Sequence, residues 1–246
     1  MSVQALIADP LAPAAVRLAD VAEPVAGPGQ VLVDVHHLSL NYGDLNDARS
    51  GRVPPGGVLG SDAAGVVVQA AAEGGGPAVG TRVVALTSGA FAERVAVEVS
   101  ALAEVPQSVD LAEAAALPVA GIAALRAGGL AQGKRVLVTG AAGGVGRFAV
   151  QLAAHAGAYV IASVGSLARG QDLAKAGADE VVVGLQGVHQ PVDLVLDNVG
   201  GPQMVAAWEL LGPAAICKAS AGRLASRLSS SRTRRSGRPN RWLLFS

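Results

Sequence analysis

The sequence predicts an α/β protein, with a β-rich first half and a second half built as a parallel sheet crossed by helices. Up to about residue 112, short β-branched runs are separated by clusters of Gly and Pro, as is typical of strands joined by turns. From Asp110 onward, apolar strands alternate with helical stretches, because each return to a parallel strand needs a crossover. Aromatic residues are only 3% of the chain, which favours Ala-rich helices covering a sheet of Val, Ile and Leu.

The β-rich half contains four predicted strands, each bounded by turn residues. They are Val31–His36, Ala64–Ala70, Arg82–Leu86 and Ala92–Val99. In the second half, helices are predicted over Leu111–Leu125, with Asp110 as a possible N-cap, and over Val145–Ala156, with shorter ones at about 169–176 and 202–211. The four strands predicted between them are Arg135–Thr139, Tyr159–Val164, Glu180–Val183 and Val192–Asp197. We therefore predict domains at 1–112 and 113–212.

Composition excludes several classes of protein. A single cysteine, Cys217, rules out a disulfide framework and a cysteine-cluster metal site. The longest uncharged apolar run, Ala114–Leu125, is too short for a membrane span, which needs about 20 residues. The N-terminus lacks the basic and hydrophobic regions of a signal peptide. We expect a cytoplasmic protein with no membrane partner.

The formal net charge of zero hides two different compositions. No acidic residue follows Glu209, whereas Lys218 and seven arginines do, so the last segment is strongly basic and the rest is acidic. Residues 213–246 have no sustained apolar period. We expect a divergent basic tail there, poorly packed, and a cofactor-domain sheet that ends after its fourth strand.

The most informative segment is RVLVTGAAGGVGRFAVQLAAHAG, residues 135–157. A strand leads into the glycine-rich loop Gly140–Gly146 and a helix leaves it, an arrangement that offers free N–H groups and a positive helix end to a phosphate. Glycines in the loop would allow close approach of the backbone, and Gly146 would allow tight packing of the helix. The alternative is a flexible turn that binds nothing. The strand–loop–helix–strand context favours a Rossmann-type dinucleotide site.

The residues after the second strand of this unit indicate which dinucleotide binds. NAD-binding versions place an acidic residue about 20 positions on, to hold the ribose 2′-hydroxyl. Here that neighbourhood contains Gly165, Ser166 and Arg169 and no carboxylate. A hydroxyl and a guanidinium suit the 2′-phosphate of NADPH, although Arg169 facing solvent on the next helix is the alternative.

Separated motifs resemble the zinc-independent quinone oxidoreductase branch of the medium-chain dehydrogenases/reductases. In chain order they are VLVDVHHLSLNYGDLNDARSG with VLGSDAAGVV, LAEAAALPVAGIAAL, TGAAGGVG, VGSLAR and DNVGG. The resemblance covers roughly residues 3–212. It implies a GroES-like catalytic domain followed by a Rossmann cofactor domain, a nicotinamide bound between them, and hydride transfer to a quinone or an enone.

The resemblance also assigns roles to individual residues. Asn41 and Asp44 would lie near nicotinamide and substrate, although a capped turn held by short polar side chains is the alternative. The pyrophosphate and the far end of the cofactor would be held by residues of the glycine-rich loop and of the fourth strand. These are Ala142, Gly143, Gly144, Val145 and Gly146, with Gly165, Ser166 and Arg169 at the 2′-phosphate and Asn198 and Val199 along the cofactor.

The chain lacks the metal ligands of zinc-dependent members of the superfamily, and it departs from its own branch near Asn46 and Val53, where that branch commonly has acceptor-pocket tyrosines, and at its C-terminus. Zinc-dependent members have Cys where this chain has Asn41, and a His-Glu pair where it has Ser61 and Asp62, so no metal site is expected. After LLGP the family continues with two more strands, whereas this chain has the Arg- and Ser-rich tail. Their loss would impair the homodimer that the family forms.

Four functions remain open from the sequence. The first is an NADPH-dependent reductase of quinones or enones, and the second an enoyl-thioester reductase of the same superfamily. The third is a nucleotide-binding remnant without activity. A nucleic-acid-binding arm formed by the basic tail is the fourth, which the acidic body and the absence of a nucleic-acid-binding motif disfavour.

Overall fold

A computed structural model describes residues 1–128, 131–220 and 241–245. The chain forms two compact units, Met1–Val119 and Ala120–Ser246. The division falls later than the predicted boundary at 112/113, because the helix Leu111–Ala115 packs against strands of the first unit.

The first unit is mainly antiparallel β-structure. Its strands are β1 (Ser2–Ala8), β2 (Val16–Ala22), β3 (Gln30–Ser39), β4 (Asp62–Gln69), β5 (Arg82–Leu86), β6 (Arg94–Glu98) and β7 (Leu102–Glu104), and its helices are α1 (Tyr42–Ser50) and α2 (Leu111–Ala115). β1 and β2 form a hairpin, and the other strands form an antiparallel sheet in the order β6-β3-β4-β5-β7. All four predicted strands of this half are present. The hairpin, β7 and α1 were not predicted.

Alternating side chains of this sheet build the core of the first unit. Val31 and Val33 on β3 pack with Val67, Val83 and Val97 from neighbouring strands, and each is at most 1% exposed. β4 carries Asp62 at its beginning, directly opposite Ser39 at the end of β3. The sheet thus brings the residues that follow β3 close to those that start β4.

The second unit is a parallel sheet with helices. Its elements are α3 (Pro118–Gly128), whose first two residues belong to the first unit, β8 (Arg135–Val138), α4 (Gly144–His155), β9 (Tyr159–Val164), α5 (Leu167–Gly170), β10 (Glu180–Val183), β11 (Val192–Asp197), α6 (Gly201–Glu209), β12 (Leu211–Ser220) and β13 (Arg241–Phe245). The strand order is β10-β9-β8-β11-β12-β13, and every pairing is parallel. Both faces are buried, since Val136 and Val138 pack in one apolar cluster and Leu137 in another.

The expectation that this sheet ends after its fourth strand is wrong. β12 pairs with β11, and β13 pairs with β12. Ala215, Cys217 and Ala219 are buried, because their small side chains fit on the sheet without a β-branched run. The buried charge between them is also partnered, since the Lys218 ammonium donates to the Arg126 carbonyl at 3.3 Å. Residues 221–240 and 246 of the predicted tail lie outside the described residues.

Helix predictions in this region needed two adjustments. The single helix predicted over Leu111–Leu125 is two helices, because Pro118 lacks an N–H and the residue before a proline avoids the helical conformation. Asp110 is the N-cap, as predicted, and its carboxylate accepts from the Ala112 N–H at 2.6 Å. The helix predicted at 169–176 is shorter in the structure. It is α5, which ends at Gly170 and is followed by turns.

None of the helices in the described part of the chain has the length and the apolar character needed to cross a membrane.

Candidate nucleotide and acceptor sites

The glycine-rich loop connects β8 to α4. Gly140 has a φ of +58°, a conformation that favours glycine, and the Gly143 N–H donates to the Gly140 carbonyl at 2.9 Å. The first helical hydrogen bond runs from the Arg147 N–H to the Gly143 carbonyl at 2.9 Å. The N–H groups of the first turn of α4 therefore precede the helical ladder, and they point out of the N-terminus of a 12-residue helix.

Two glycines of this loop, Gly146 and Gly144, differ in the space that surrounds them. At Gly146, an added Cβ would lie 2.4 Å from the Gly140 carbonyl oxygen and 2.7 Å from the Ala141 Cα, so the loop itself demands a glycine. At Gly144, an added Cβ would meet only the Ala120 Cβ, at 3.6 Å. Gly144 is exposed, so a side chain there would fit the fold. Because the Cα–Cβ bonds of a helix tilt toward its N-terminus, we expect that side chain to crowd an anion bound there.

This end of α4 is suited to an anion. Its first turn contains no acidic residue, and a helix N-terminus carries a partial positive charge. Among the predicted pyrophosphate residues, Ala142, Gly143 and Val145 are partly exposed and Gly144 is exposed, so their backbone is accessible from solvent. The arrangement fits a phosphate or pyrophosphate.

A buried hydrogen-bond cluster fixes the neighbouring strand end. The Thr139 hydroxyl donates to Asp197 Oδ1 at 2.5 Å, and the Gly200 N–H donates to Asp197 Oδ2 at 2.7 Å. Asn198 donates twice to Thr139, from its N–H to Oγ1 at 3.1 Å and from Nδ2 to the carbonyl at 3.0 Å. Asn198 and Val199 are consequently held beside Gly140. A Cβ added at Gly140 would lie 3.1 Å from a Val199 methyl group.

The predicted 2′-phosphate residues lie together after β9. Gly165, Ser166 and Arg169 are all exposed, and Ser166 is the N-cap of α5 but does not use its hydroxyl to cap the helix. Arg169 makes no ion pair with any carboxylate in the described ranges. This surface therefore offers a hydroxyl and a guanidinium without an acidic residue between them.

In the first unit, Asn41 and Asp44 form a reciprocal cap at the start of α1. Asn41 is the N-cap, and its backbone N–H donates to Asp44 Oδ2 at 2.8 Å. The Ser61 hydroxyl donates to Asp44 Oδ1 at 2.9 Å, so both oxygens of this carboxylate, which is only 5% exposed, have partners. Asp44 thus holds the turn together, while Asn41 stays partly exposed.

Asp62 completes this network and was not predicted as a site residue. Its Oδ2 accepts from Asn41 Nδ2 at 2.8 Å, and its Oδ1 accepts from the Val119 N–H at 2.9 Å. Burial raises the pKa of the Asp62 carboxyl, although the hydrogen bonds from Asn41 and Val119 oppose the change. Asp62 is the first residue of β4, and apart from its position next to Ser61 nothing in the sequence indicated a functional role for it.

The three positions that the family resemblance sets against zinc ligands belong to this same network. Asn41 donates to Asp62 from its side chain and to Asp44 from its backbone, and the Ser61 hydroxyl donates to Asp44. Among the residues that the structure describes, no group of three or more His, Cys, Asp or Glu side chains is arranged to hold a metal ion.

Comparison with known proteins gives matches to both units. The model of the alcohol dehydrogenase GroES-like domain matches residues 27–107. Erythronolide synthase EryA2 of Saccharopolyspora erythraea is 40% identical over 155 residues, which are 61% of this chain and 4% of that protein. Prostaglandin reductase-3 of Bos taurus is 34% identical over 212 residues, which are 78% of this chain and 55% of that protein. The chain thus spans only part of the curated relatives it matches.

Solved structures extend the comparison to the whole fold. A quinone oxidoreductase from Coxiella burnetii has a TM-score of 0.86 at 27% identity, covering 92% of this chain and 78% of that one. A mycobacterial protein solved with NADPH has a TM-score of 0.78 at 28% identity, covering 88% and 73%. A probable oxidoreductase from Mycobacterium abscessus has a TM-score of 0.79 at 34% identity, covering 89% and 75%. The chain therefore belongs to the medium-chain dehydrogenase/reductase superfamily of oxidoreductases.

Proposed function

We propose that the chain is an NADPH-dependent oxidoreductase that transfers hydride to a quinone or enone without zinc. The observation that carries the proposal is the glycine-rich loop at the N-terminus of α4, where Gly144 keeps an accessible helix end clear of side chains. The Coxiella quinone oxidoreductase and the NADPH-complexed mycobacterial structure support the reaction class and the cofactor.

The residues of the second unit fit the parts of NADPH. The backbone of Ala142–Gly146 would bind the pyrophosphate, and Gly165, Ser166 and Arg169 would surround the 2′-phosphate. Asn198 and Val199 would lie along the nicotinamide half, since the Thr139–Asp197 cluster holds them at the carboxyl end of β11. Bound there, the cofactor supplies a hydride, that is, two electrons and one proton.

The reaction balances without a further oxidant or reductant. An enone accepts the hydride at its β-carbon and a proton from water at its α-carbon, giving the saturated ketone and NADP⁺. A quinone accepts hydride and proton and becomes the hydroquinone. The protein's part is to orient the reactants and to stabilise charge on the acceptor oxygen.

A second candidate is an enoyl-thioester reductase of the same superfamily. The 40% identity to part of erythronolide synthase EryA2 favours it. A steady-state assay with NADPH and a panel of quinones, enones and enoyl thioesters separates the two candidates by the ratio of kcat/KM values. A nucleotide-binding remnant would bind NADPH and turn over none of these acceptors. A sheet that ended at β11 would favour a remnant, but β12 pairs with β11 and continues the sheet.

We predict that Arg169→Ala weakens NADPH binding and leaves NADH binding nearly unchanged. Removing one charge-assisted contact to the 2′-phosphate should cost ~1.5–3 kcal/mol, or roughly 10- to 100-fold in Kd. Fluorescence titration with both cofactors measures this. Lys175→Ala, which also removes a cation from the segment between β9 and β10, serves as the control. An equal loss for NADH and NADPH would show that Arg169 does not contact the phosphate.

We also predict that activity does not depend on zinc, since Asn41, Ser61 and Asp62 occupy the ligand positions of zinc-dependent relatives and belong to one hydrogen-bond network with Asp44. Elemental analysis of active protein should find no stoichiometric zinc, and chelators should leave kcat unchanged. A rate that chelation abolishes and added zinc restores would refute the prediction.

The proposal extends to the state of the protein in the cell. We infer a cytoplasmic enzyme acting on a small-molecule acceptor, with neither membrane nor nucleic acid as a partner. A homodimer is expected from the family resemblance, and sedimentation of the purified chain would test it.

A further inference from the structure

Two carboxylates lie side by side behind the start of α1, and they have different tasks. Asp44 binds the Asn41 backbone and the Ser61 hydroxyl, so it fixes the turn. Asp62, which is fully buried, binds the Asn41 side-chain amide instead. Of the four side chains in this network, Asn41 and Ser61 are partly exposed, whereas both carboxylates are buried. Asp62 itself cannot contact a molecule bound at the surface, but it can affect one through the Asn41 amide, which it orients.

The contact with Asp62 decides which way the Asn41 amide faces. Both oxygens of Asp62 accept hydrogen bonds, and the amide atom that lies 2.8 Å from Oδ2 is the Asn41 nitrogen, Nδ2. The other oxygen of Asp62 is held by the Val119 N–H at 2.9 Å, which prevents the carboxylate from turning away. The direction of one N–H bond of the Asn41 amide is thereby fixed. Because the amide group is planar, the direction of its second N–H bond is fixed as well.

We propose that Asp62 is a positioning residue that orients the Asn41 amide so that its second N–H donates to the carbonyl oxygen of the acceptor. The inference rests on the proposed function, because it assigns the group that contacts the acceptor oxygen. Hydride addition to a quinone or enone builds negative charge on that oxygen. A donor held in advance stabilises this charge more than one that must first rotate into place.

Asp62→Asn tests the proposal because it nearly preserves size while removing the second acceptor. The oxygen of the substituted side chain would keep the bond to the Val119 N–H, so its NH₂ group would face Asn41. Two amide nitrogens cannot bond to each other, so the Asn41 amide would lose its acceptor and be free to turn. Its second N–H would then no longer be held toward the acceptor.

The first readout needs no turnover. In ¹⁵N-labelled protein, the Asn41 side-chain amide resonances are assigned by their disappearance in Asn41→Ala. We expect one of the two protons to be shifted downfield by the carboxylate, and this shift to vanish in Asp62→Asn. Asp20→Asn, an exposed change on β2, should leave both resonances in place. Unchanged Asn41 resonances in Asp62→Asn would overturn the proposal.

The second readout is kinetic, with 2-cyclohexen-1-one and menadione as acceptors. We expect kcat to fall 10- to 100-fold in both Asn41→Ala and Asp62→Asn, the KM for NADPH to stay within twofold, and the double variant to be no slower than the worse single one. Multiplied losses in the double variant would mean that Asp62 does not act through Asn41. Should Asp62→Asn fail to fold, Asp62→Ala replaces it in both measurements, with the same expected directions, because it also removes the oxygen that accepts from the Asn41 amide. Absence of wild-type turnover would refute the proposed function, whereas the amide resonances would still decide the orientation.

Discussion

Replacing Gly146 with alanine should destabilise the second unit by ~3 kcal/mol and weaken NADPH binding at least tenfold. The added methyl group would lie 2.4 Å from the Gly140 carbonyl oxygen and 2.7 Å from the Ala141 Cα, and both atoms belong to the backbone. Neither can move as a flexible side chain would, so the loop and the start of α4 have to separate. Chemical denaturation measures the stability, and fluorescence titration measures the Kd for NADPH.

Gly144→Ala is the matched partner of this substitution. Its methyl group would meet only the Ala120 Cβ, at 3.6 Å, and alanine favours the helix, so the free energy of unfolding should stay within about 1 kcal/mol of the wild type. NADPH binding should nevertheless weaken at least tenfold, because the methyl group covers the N-terminus where the phosphate would lie. If Gly144→Ala binds NADPH normally, the pyrophosphate does not bind at the N-terminus of α4. If Gly146→Ala is as stable as the wild type, the loop does not pack against α4 as described.

These two glycines show what a sequence motif can predict. The spacing G-x-x-G-x-x-G between a strand and a helix predicted the loop, because a backbone that turns this tightly and approaches a phosphate needs glycine at set positions. The motif does not say which glycine serves the fold and which serves the ligand. That distinction depends on atoms of Gly140 and Ala120, whose positions follow from tertiary packing.

The Asp62 network was not predictable for the same reason. Asn41 and Asp44 are close in sequence, and their spacing suggested both a site and a capped turn. Asp62 reaches Asn41 only because β3 and β4 pair antiparallel with Ser39 opposite Asp62. Antiparallel register joins residues that are far apart in the chain, and no local period records it.

The missed hairpin has a different cause. β1 has an alternating burial pattern that hydrophobic periodicity should reveal, with Val3 and Ala5 buried and Ser2 and Gln4 exposed. Its short, mixed composition resembles a loop, and its partner β2 is largely exposed, so neither strand forms a long apolar run. Pairing with each other stabilises both strands, which a single-strand reading cannot show.

The basic tail misled in the opposite direction. Seven arginines dominate its composition and suggested that order ends near residue 212. The segment AAICKAS within it nevertheless forms most of β12, because Ala215, Cys217 and Ala219 point to buried positions in turn. The composition averaged over these 34 residues gave no sign of this strand, because its buried residues are mostly small.

Cys217→Asp should unfold this strand or cost ~3–5 kcal/mol of stability. Cys217 is fully buried in the cluster that contains Leu137 and Val195, and Asp197 raises the local negative potential. A carboxylate there would be desolvated without a compensating partner. Ala214→Asp is the control, since it adds the same charge three residues earlier at an exposed position whose φ of +60° suits Asp better than Ala. Equal stability of Cys217→Asp and wild type would restore the prediction of a poorly packed tail.

The thiol itself gives a second measure of the same burial. Desolvation raises the pKa of Cys217 to about 12 from its ordinary 9.0, so the folded protein keeps the thiol neutral at a pH where the unfolded chain has lost the proton. This contribution to stability is complete below pH 9 and is lost as the pH rises toward 12. Between about pH 8 and 10 the wild type should therefore lose more stability than Cys217→Ala does, by up to ~1.4 kcal/mol per pH unit above 9. Parallel pH profiles of the two proteins would mean that Cys217 is open to solvent and that β12 does not cover the edge of β11.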